Sequence, residues 1–223
     1  MGDAFIADAL GVSAHTAAAL AEAGVRRRYP PRAYLFMEQD EPTQVYLVEI
    51  GLLRIDRLTH SGRPVLHELA TPGDLVGELG AVDDSPRSAT ASTLTDTRLL
   101  AIPARDFREV MRTSSDLAMA TLTRGRRRLR ARSSQLVDAT ARSASARVAA
   151  RLLRLVEREG APGPSVELRL PITQEELGQW AGLSREGTVK GLAELREAGV
   201  LETGRRRVHL KDLPALERIA TTG

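Results

Sequence analysis

The chain has 223 residues, 42% of them hydrophobic and 27% charged, enough apolar mass to bury a core in one or two domains and too little polarity for disorder. Cysteine is absent and aromatic residues make up only 3%, which excludes disulfides, thiolate zinc sites, Cys-held iron–sulfur clusters and sulfur-based redox sensing, and disfavours a single-strand binder that stacks bases on aromatic rings. The net charge of +3 leaves duplex DNA open as a partner, while the lack of a secretion signal or of any apolar run of membrane-spanning length predicts a cytoplasmic chain with no membrane contact.

Residues Phe5–Ala23 are alanine-rich with spaced apolar positions and predict one or two short helices, closed by Gly24 as a C′ residue. From Arg32 to Pro103 the pattern changes to short β-like runs: Tyr34–Phe36, Val45–Val48, Leu52–Ile55, Pro64–Leu69 and Arg98–Ile102. Turn clusters such as His60-Ser61-Gly62-Arg63 and Asp83-Asp84-Ser85-Pro86 separate them. Many short strands with frequent punctuation predict a small all-β sandwich or jelly roll.

Between Pro103 and Pro162 there is no proline and glycine occurs only at Gly125 and Gly160, so this stretch is predicted to be mostly helical. Charge shifts here too. Residues 1–104 hold nine basic against fourteen acidic side chains, net −5; residues 105–142 hold ten against four, net +6; the remainder holds thirteen against eleven, net +2. The basic run Arg124–Arg132 reads either as directed at nucleic acid or as a solvated helix face. Leu122, Leu129 and Leu136 fall seven apart and suit a two-stranded coiled-coil seam, made polar by Arg126, Ser133 and Thr140 at the companion positions. The competing reading packs these leucines on the protein's own β-domain. After a break at Ala141–Ser145, a helix over Ala146–Arg158 carries Val148, Leu152, Leu155 and Val156 on one face and ends in the loop Gly160–Pro164.

Thr173-Gln174-Glu175-Glu176 is a capping box that starts a helix, with Leu177 and Trp180 on its apolar side. Ala181-Gly182-Leu183 supplies a tight turn in which Gly182 takes a positive φ. Ser184 then caps a second helix, Arg185–Ala198, whose Val189, Leu192 and Leu195 are expected to face inward, leaving Arg185, Glu186 and Lys190 outside, as in a recognition helix. Residues Gly199–Leu210 read as a hairpin with Arg205, Arg206 and Arg207 at and after the turn, either a phosphate-neutralising wing or an edge strand kept soluble by charge.

In the β-rich half, Gly77-Glu78-Leu79-Gly80 is followed by Pro86-Arg87-Ser88-Ala89. A proline-fixed arginine beside a hydroxyl and small residues suits a phosphate, and Glu78 can accept from a sugar hydroxyl. The plainer reading is a structural Glu78–Arg87 ion pair. His15, His60, His67 and His209 are scattered without metal-ligand spacing, and there is no Gly-x-Ser-x-Gly elbow and no Walker or dinucleotide glycine motif. Neither an enzyme nor a metal or catalytic cofactor is expected.

The segment Ile172–Glu186 resembles the helix-turn-helix of the cyclic-AMP receptor protein/FNR family, and the order and length of the domains agree over nearly the whole chain. The resemblance implies an α+β protein: an N-terminal cyclic-nucleotide-binding-type β jelly roll over 1–112, a long dimerisation helix over 113–141 and a C-terminal winged helix-turn-helix over 142–223. It implies a homodimeric transcriptional regulator that binds a pseudo-palindromic operator in double-stranded DNA, with RNA polymerase as a further partner. It places DNA contacts on Ser184, Arg185, Glu186 and Lys190, to which the sequence reading adds Thr173 and the hairpin arginines Arg205 and Arg206. Gly77, Glu78, Leu79, Arg87 and Ser88 match the family's phosphate-binding cassette for a cyclic nucleotide, cAMP or cGMP. Arg132 and Ser133 stand where cAMP-responsive members present a threonine and a small polar residue to adenine. Arginine cannot accept from the adenine amino group; it can donate to guanine, pair with another anion, or fill the pocket of a member that needs no nucleotide.

Overall fold

The apolar runs of the first half fold into two facing sheets, and the second half builds a separate helical core. In the computed structural model the chain divides into two compact units, Met1–Arg130 and Ala131–Gly223. The structure describes residues 2–159, 163–204 and 207–222, the side chains of 128, 131–141, 158, 159 and 222 excepted. Arg205, Arg206 and the side chains of Arg132, Ser133 and Leu136 therefore lie outside the described residues.

The first unit opens with helices α1 (Asp3–Leu10) and α2 (Ala14–Ala23) and continues through strands β1 (Val25–Tyr29), β2 (Tyr34–Phe36), β3 (Gln44–Ile50), β4 (Leu53–Leu58), β5 (Pro64–Ala70) and β6 (Leu75–Val76). Helix α3 (Glu78–Asp83), strands β7 (Thr90–Thr93) and β8 (Thr97–Pro103) and helix α4 (Ala104–Thr113) complete it, and α5 (Ser115–Ala141) runs from this unit into the second. The sheets are ordered β1-β8-β3-β6 and β2-β7-β4-β5, the two-sheet arrangement expected from the spacing of the runs. Strand β3 is buried on both faces, which is why its sequence reads as a continuous apolar run. Its Val45 and Leu47, opposite Ile102 and Leu100, join the core under α1, α2 and α4. Tyr46 and Val48, opposite Ala101 and Leu99, face the other sheet.

Two departures from the sequence reading have physical causes. Gly24 ends α2 in an extended conformation, φ −106°, not the left-handed C′ geometry; glycine stands there because a Cβ would lie 2.6 Å from Leu100 Cδ1 and 2.9 Å from Ile102 Cγ1. Strand β1 was hidden by its three consecutive arginines. It sits at the sheet edge, where Arg26 Nε donates to Glu49 Oε1 at 2.9 Å and Arg98 Nε to Glu49 Oε2 at 2.8 Å. The Glu49 side chain is fully buried, and the two guanidinium groups make that burial tolerable.

The second unit contains α6 (Ala144–Glu159), β9 (Val166–Arg169), α7 (Gln174–Trp180), α8 (Arg185–Glu197), β10 (Leu201–Gly204), β11 (Arg207–Leu210) and α9 (Leu213–Thr222). Its sheet is ordered β10-β11-β9, and Leu152, Leu168, Leu177, Trp180, Leu192, Leu195, Leu210 and Leu216 are buried. No single described helix is long and apolar enough to cross a membrane.

Asp116, in the first turn of α5, ties that turn to α2. Its carboxylate accepts from Ser13 N at 2.7 Å, Thr16 Oγ1 at 2.9 Å and its neighbour Leu117 N at 2.8 Å. These donors, the Ser13 amide first, hold its pKa down from 3.8 to about 2. A carboxyl depressed in the folded state contributes stability that is present above its unfolded pKa and lost as pH falls through the folded one. We expect Asp116→Asn to be less stable than wild type to urea at neutral pH, with the gap closing as pH falls from about 4 towards 2; a gap that does not change with pH would show that the carboxylate charge is not what α2 leans on.

Candidate functional site

The helix-turn-helix is built as the sequence predicts. Thr173 Oγ1 accepts from Glu176 N at 3.1 Å and the Glu176 carboxylate accepts from Thr173 N at 2.7 Å, a complete capping box at the start of α7. Gly182 takes φ +68° in the turn, and Ser184 Oγ caps α8 by accepting from Gly187 N at 3.1 Å. The cap uses the oxygen of Ser184, leaving its hydroxyl proton to donate. Arg185, Glu186 and Lys190 are exposed on α8, with Lys190 Nζ 3.9 Å from Glu194 Oε1. The sequence signal stops short of what fixes the rotation of α8. A Cβ on Gly178 would fall 1.8 Å from Thr188 Oγ1, and a Cβ on Gly191 would fall 2.8 Å from the Ala144 carbonyl carbon. Arg147 of α6 donates through Nε to the Ala181 carbonyl at 3.1 Å and through Nη2 to the Gly182 carbonyl, clamping the turn. A glycine inside a short helix was the one available hint of the Gly178 contact; nothing in the sequence marked Arg147.

Val189 corrects an expectation. It is 56% exposed, not inward, because Thr188 takes the inward position beside Gly178 and is itself 3% exposed. Leu192 and Leu195 are buried as expected. Strands β10 and β11 form the expected hairpin, pairing Leu201 with Leu210 and Gly204 with Arg207. Arg207 Nη1 lies 3.8 Å from Glu167 Oε1 on the neighbouring strand.

In the β-roll, Gly77 enters α3 at φ +83°, a geometry that only glycine adopts cheaply. It brings Glu78 into a buried position at 3% exposure while Leu79 remains 46% exposed. Arg87 follows Pro86 and is 3% exposed. Its Nη1 donates to the Gly77 carbonyl at 2.6 Å and its Nη2 to the Gln44 carbonyl. The guanidinium lies 4.2 Å over the Phe36 ring, and Phe36 stacks on Tyr46 at 6.1 Å. The Arg87 Nε is buried without a hydrogen-bond partner among the described residues. Burial pushes the Arg87 pKa down, while Tyr46, Glu78 and Asp40 act through their charges to raise it. Glu78 acts on Arg87 electrostatically, while main-chain carbonyls take one N–H of each Nη group. Ser88 is exposed beside it. The sequence did not reveal Phe36 as the platform for Arg87, since which strand faces the cassette is decided only by sheet pairing. Among the described residues no group of three or more His, Asp or Glu could hold a metal ion.

Residues 26–114 match the cyclic nucleotide-binding domain family and residues 146–219 the Crp-like helix-turn-helix domain family. The chain is 34% identical over 195 residues to the cyclic AMP receptor protein of Thermus thermophilus, covering 87% of this chain and 88% of that protein. It is 30% identical over 192 residues to the CRP-like cAMP-activated global transcriptional regulator of Mycobacterium tuberculosis, covering 85% and 86%. The solved structure of CLP, the c-di-GMP-responsive global regulator of Xanthomonas campestris, shares the fold with TM-score 0.72 at 23% identity, over 89% of this chain and 99% of that one.

The packing of α7 on α8 is directly testable. Gly178→Ala is expected to cost about 1–3 kcal/mol in urea unfolding, the usual penalty for overpacking, and Thr188→Ala in the same chain to recover part of it. No loss on Gly178→Ala would show that the two helices have room to separate.

Proposed function

The chain belongs to the Crp/Fnr family of transcriptional regulators, and from that premise we propose that it acts as a homodimer that binds a pseudo-palindromic duplex operator under the control of a cyclic nucleotide held in the β-roll. Residues 1–112 serve as the sensing domain, 113–141 as the dimerisation helix and 142–223 as the DNA-binding domain. The work is binding and coupling, with no catalysis.

The exposed Arg185, Glu186 and Lys190 at the start of a capped helix support base reading, with Ser184 on a phosphate and Arg205 and Arg206, outside the described residues, assigned to phosphates as well. Thr173, whose hydroxyl serves the α7 cap and which lines a cavity with Thr203, Gly204 and Arg207 of the hairpin, is assigned a further DNA contact. The dimer reading is supported by Leu122 and Leu129, each 66% exposed in the single chain, and by Met119, 61% exposed three residues before Leu122. That exposure weighs against packing of the two leucines on the protein's own β-domain. In a two-fold dimer the half-site centres lie about 34 Å apart. RNA polymerase is the further partner that a regulator of this kind would engage.

The single observation that carries the sensor half is the orphan Nε of buried Arg87. A buried N–H without a partner is destabilising, and a ligand phosphate admitted by a shift of the Arg87 side chain would supply its acceptor. The two carbonyls and Phe36 hold the guanidinium in place, Ser88 adds a hydroxyl donor, Gly77 and Leu79 offer main chain, and Glu78 accepts from a sugar hydroxyl. Arg132 and Ser133 of α5 are assigned to the base. A ligand shifts DNA binding only by as much as it favours one state over the other. A second reading, a β-roll that answers to another effector or serves only as a scaffold, is favoured by one fact: each Nη group of Arg87 already donates to one of the protein's own carbonyls.

Calorimetric titration with cAMP and with cGMP separates these readings. We expect heat with at least one of them, tighter operator binding in its presence, and loss of about 3–5 kcal/mol of binding energy in Arg87→Ala. Silence with both nucleotides, together with unchanged operator affinity, selects the second reading. On an operator selected from random duplexes, Arg185→Ala is expected to cost about 1–3 kcal/mol and relax one base position, whereas Arg206→Ala weakens all sequences alike and lowers the salt slope by about one. Equal losses for Arg185→Ala on operator and random DNA would remove it from base readout.

A further inference from the structure

Among the described residues of the second unit, Val189 is the large apolar side chain left uncovered, at 56% exposure. Its position is imposed. Thr188 at 3% and Leu192 at 1% exposure face inward, Gly178 leaves no space for any atom beyond Thr188, and Gly191 abuts the backbone of Ala144. Helix α8 cannot turn to hide Val189 without breaking both contacts. A β-branched residue exposed to water in mid-helix loses rotamer freedom and gains no burial, so the folded chain alone gives it no role. Its helical neighbours at spacings of three and four, Glu186 and Arg185, are the exposed polar residues that open α8.

Resting on the reading of α8 as the DNA-reading helix, we propose that Val189 specifies a thymine in each half-site by covering its C5-methyl group. The thymine methyl is the one apolar feature among the base edges of the major groove. A valine has no donor or acceptor, so it gains from burying that methyl and leaves the amino group of cytosine or the O6 of guanine without a partner. The selected base lies next to those contacted by Arg185 and Glu186, and its recognition is insensitive to salt because no charge takes part.

The test uses the full-length protein and duplexes selected from a random pool by the wild type. Each thymine of the selected operator is replaced in turn by deoxyuridine, which removes the methyl and keeps the hydrogen-bonding edge. The wild type is expected to bind about fourfold more weakly at one thymine per half-site, the worth of burying one methyl group. Val189→Ala, whose exposed site makes the fold indifferent to the change, is expected to bind thymine and deoxyuridine equally there and to match the wild type at every other position. Equal sensitivity of the two proteins to the substitution, or undiminished binding of the selected operator by Val189→Ala, overturns the assignment. Failure of the wild type to select any sequence overturns it as well, but by removing the DNA reading on which it rests.

Discussion

The rotation of α8 about its own axis is the constraint from which the second unit follows. At Gly178 and Gly191 backbone meets side chain or backbone with no space for a methyl group, and interiors packed at that density do not yield continuously. A slip of one residue would turn the helix by about 100° and carry Thr188, Leu192 and Leu195 away from the core they fill. Arg147 secures the preceding turn through two carbonyls, so the start of α8 is held by α6 as well as α7. Arg185, Glu186, Val189 and Lys190 look outward because Thr188, Leu192 and Leu195 have no alternative to looking in.

Arg87 is under a different constraint, two demands on one guanidinium. Its burial requires partners, which the Gly77 and Gln44 carbonyls and the Phe36 ring provide. Nε is left buried without a partner among the described residues. The group is thus a structural brace between β3 and the entry to α3 and, at the same time, carries a buried donor that lacks an acceptor. Removing it disturbs the loop geometry as well as any anion, so the conservative way to probe it is to compare ligands rather than to read stability alone.

Much of this was legible in the sequence. The capping box at Thr173–Glu176, the positive φ of Gly182, the Ser184 cap and the β-rich front half are local signals, written within a few residues. The family resemblance followed from them, and the fold agrees. What was not legible depends on which distant segments meet. Strand β1 escaped because its arginines break the apolar alternation, and the buried Glu49 that compensates Arg26 is 23 residues away. The short strands β6 and β9 carry too few residues for a pattern. Val189 was read inward from its spacing to Leu192 and Leu195, a periodicity that Thr188 matches equally well once Gly178 is seen opposite it. Phe36 beneath Arg87 is a product of sheet pairing alone.

Strand β1 closes one side of its sheet, and an unpaired strand edge is a template on which another copy can add. Here the edge is Val25-Arg26-Arg27-Arg28-Tyr29, and Glu49 offsets only Arg26 and, from β8, Arg98. A second β1 laid antiparallel against it would bring arginine against arginine, which is unfavourable for directly opposed pairs. The charge row thereby makes edge-to-edge pairing of two copies through β1 unfavourable, as charged edge strands do.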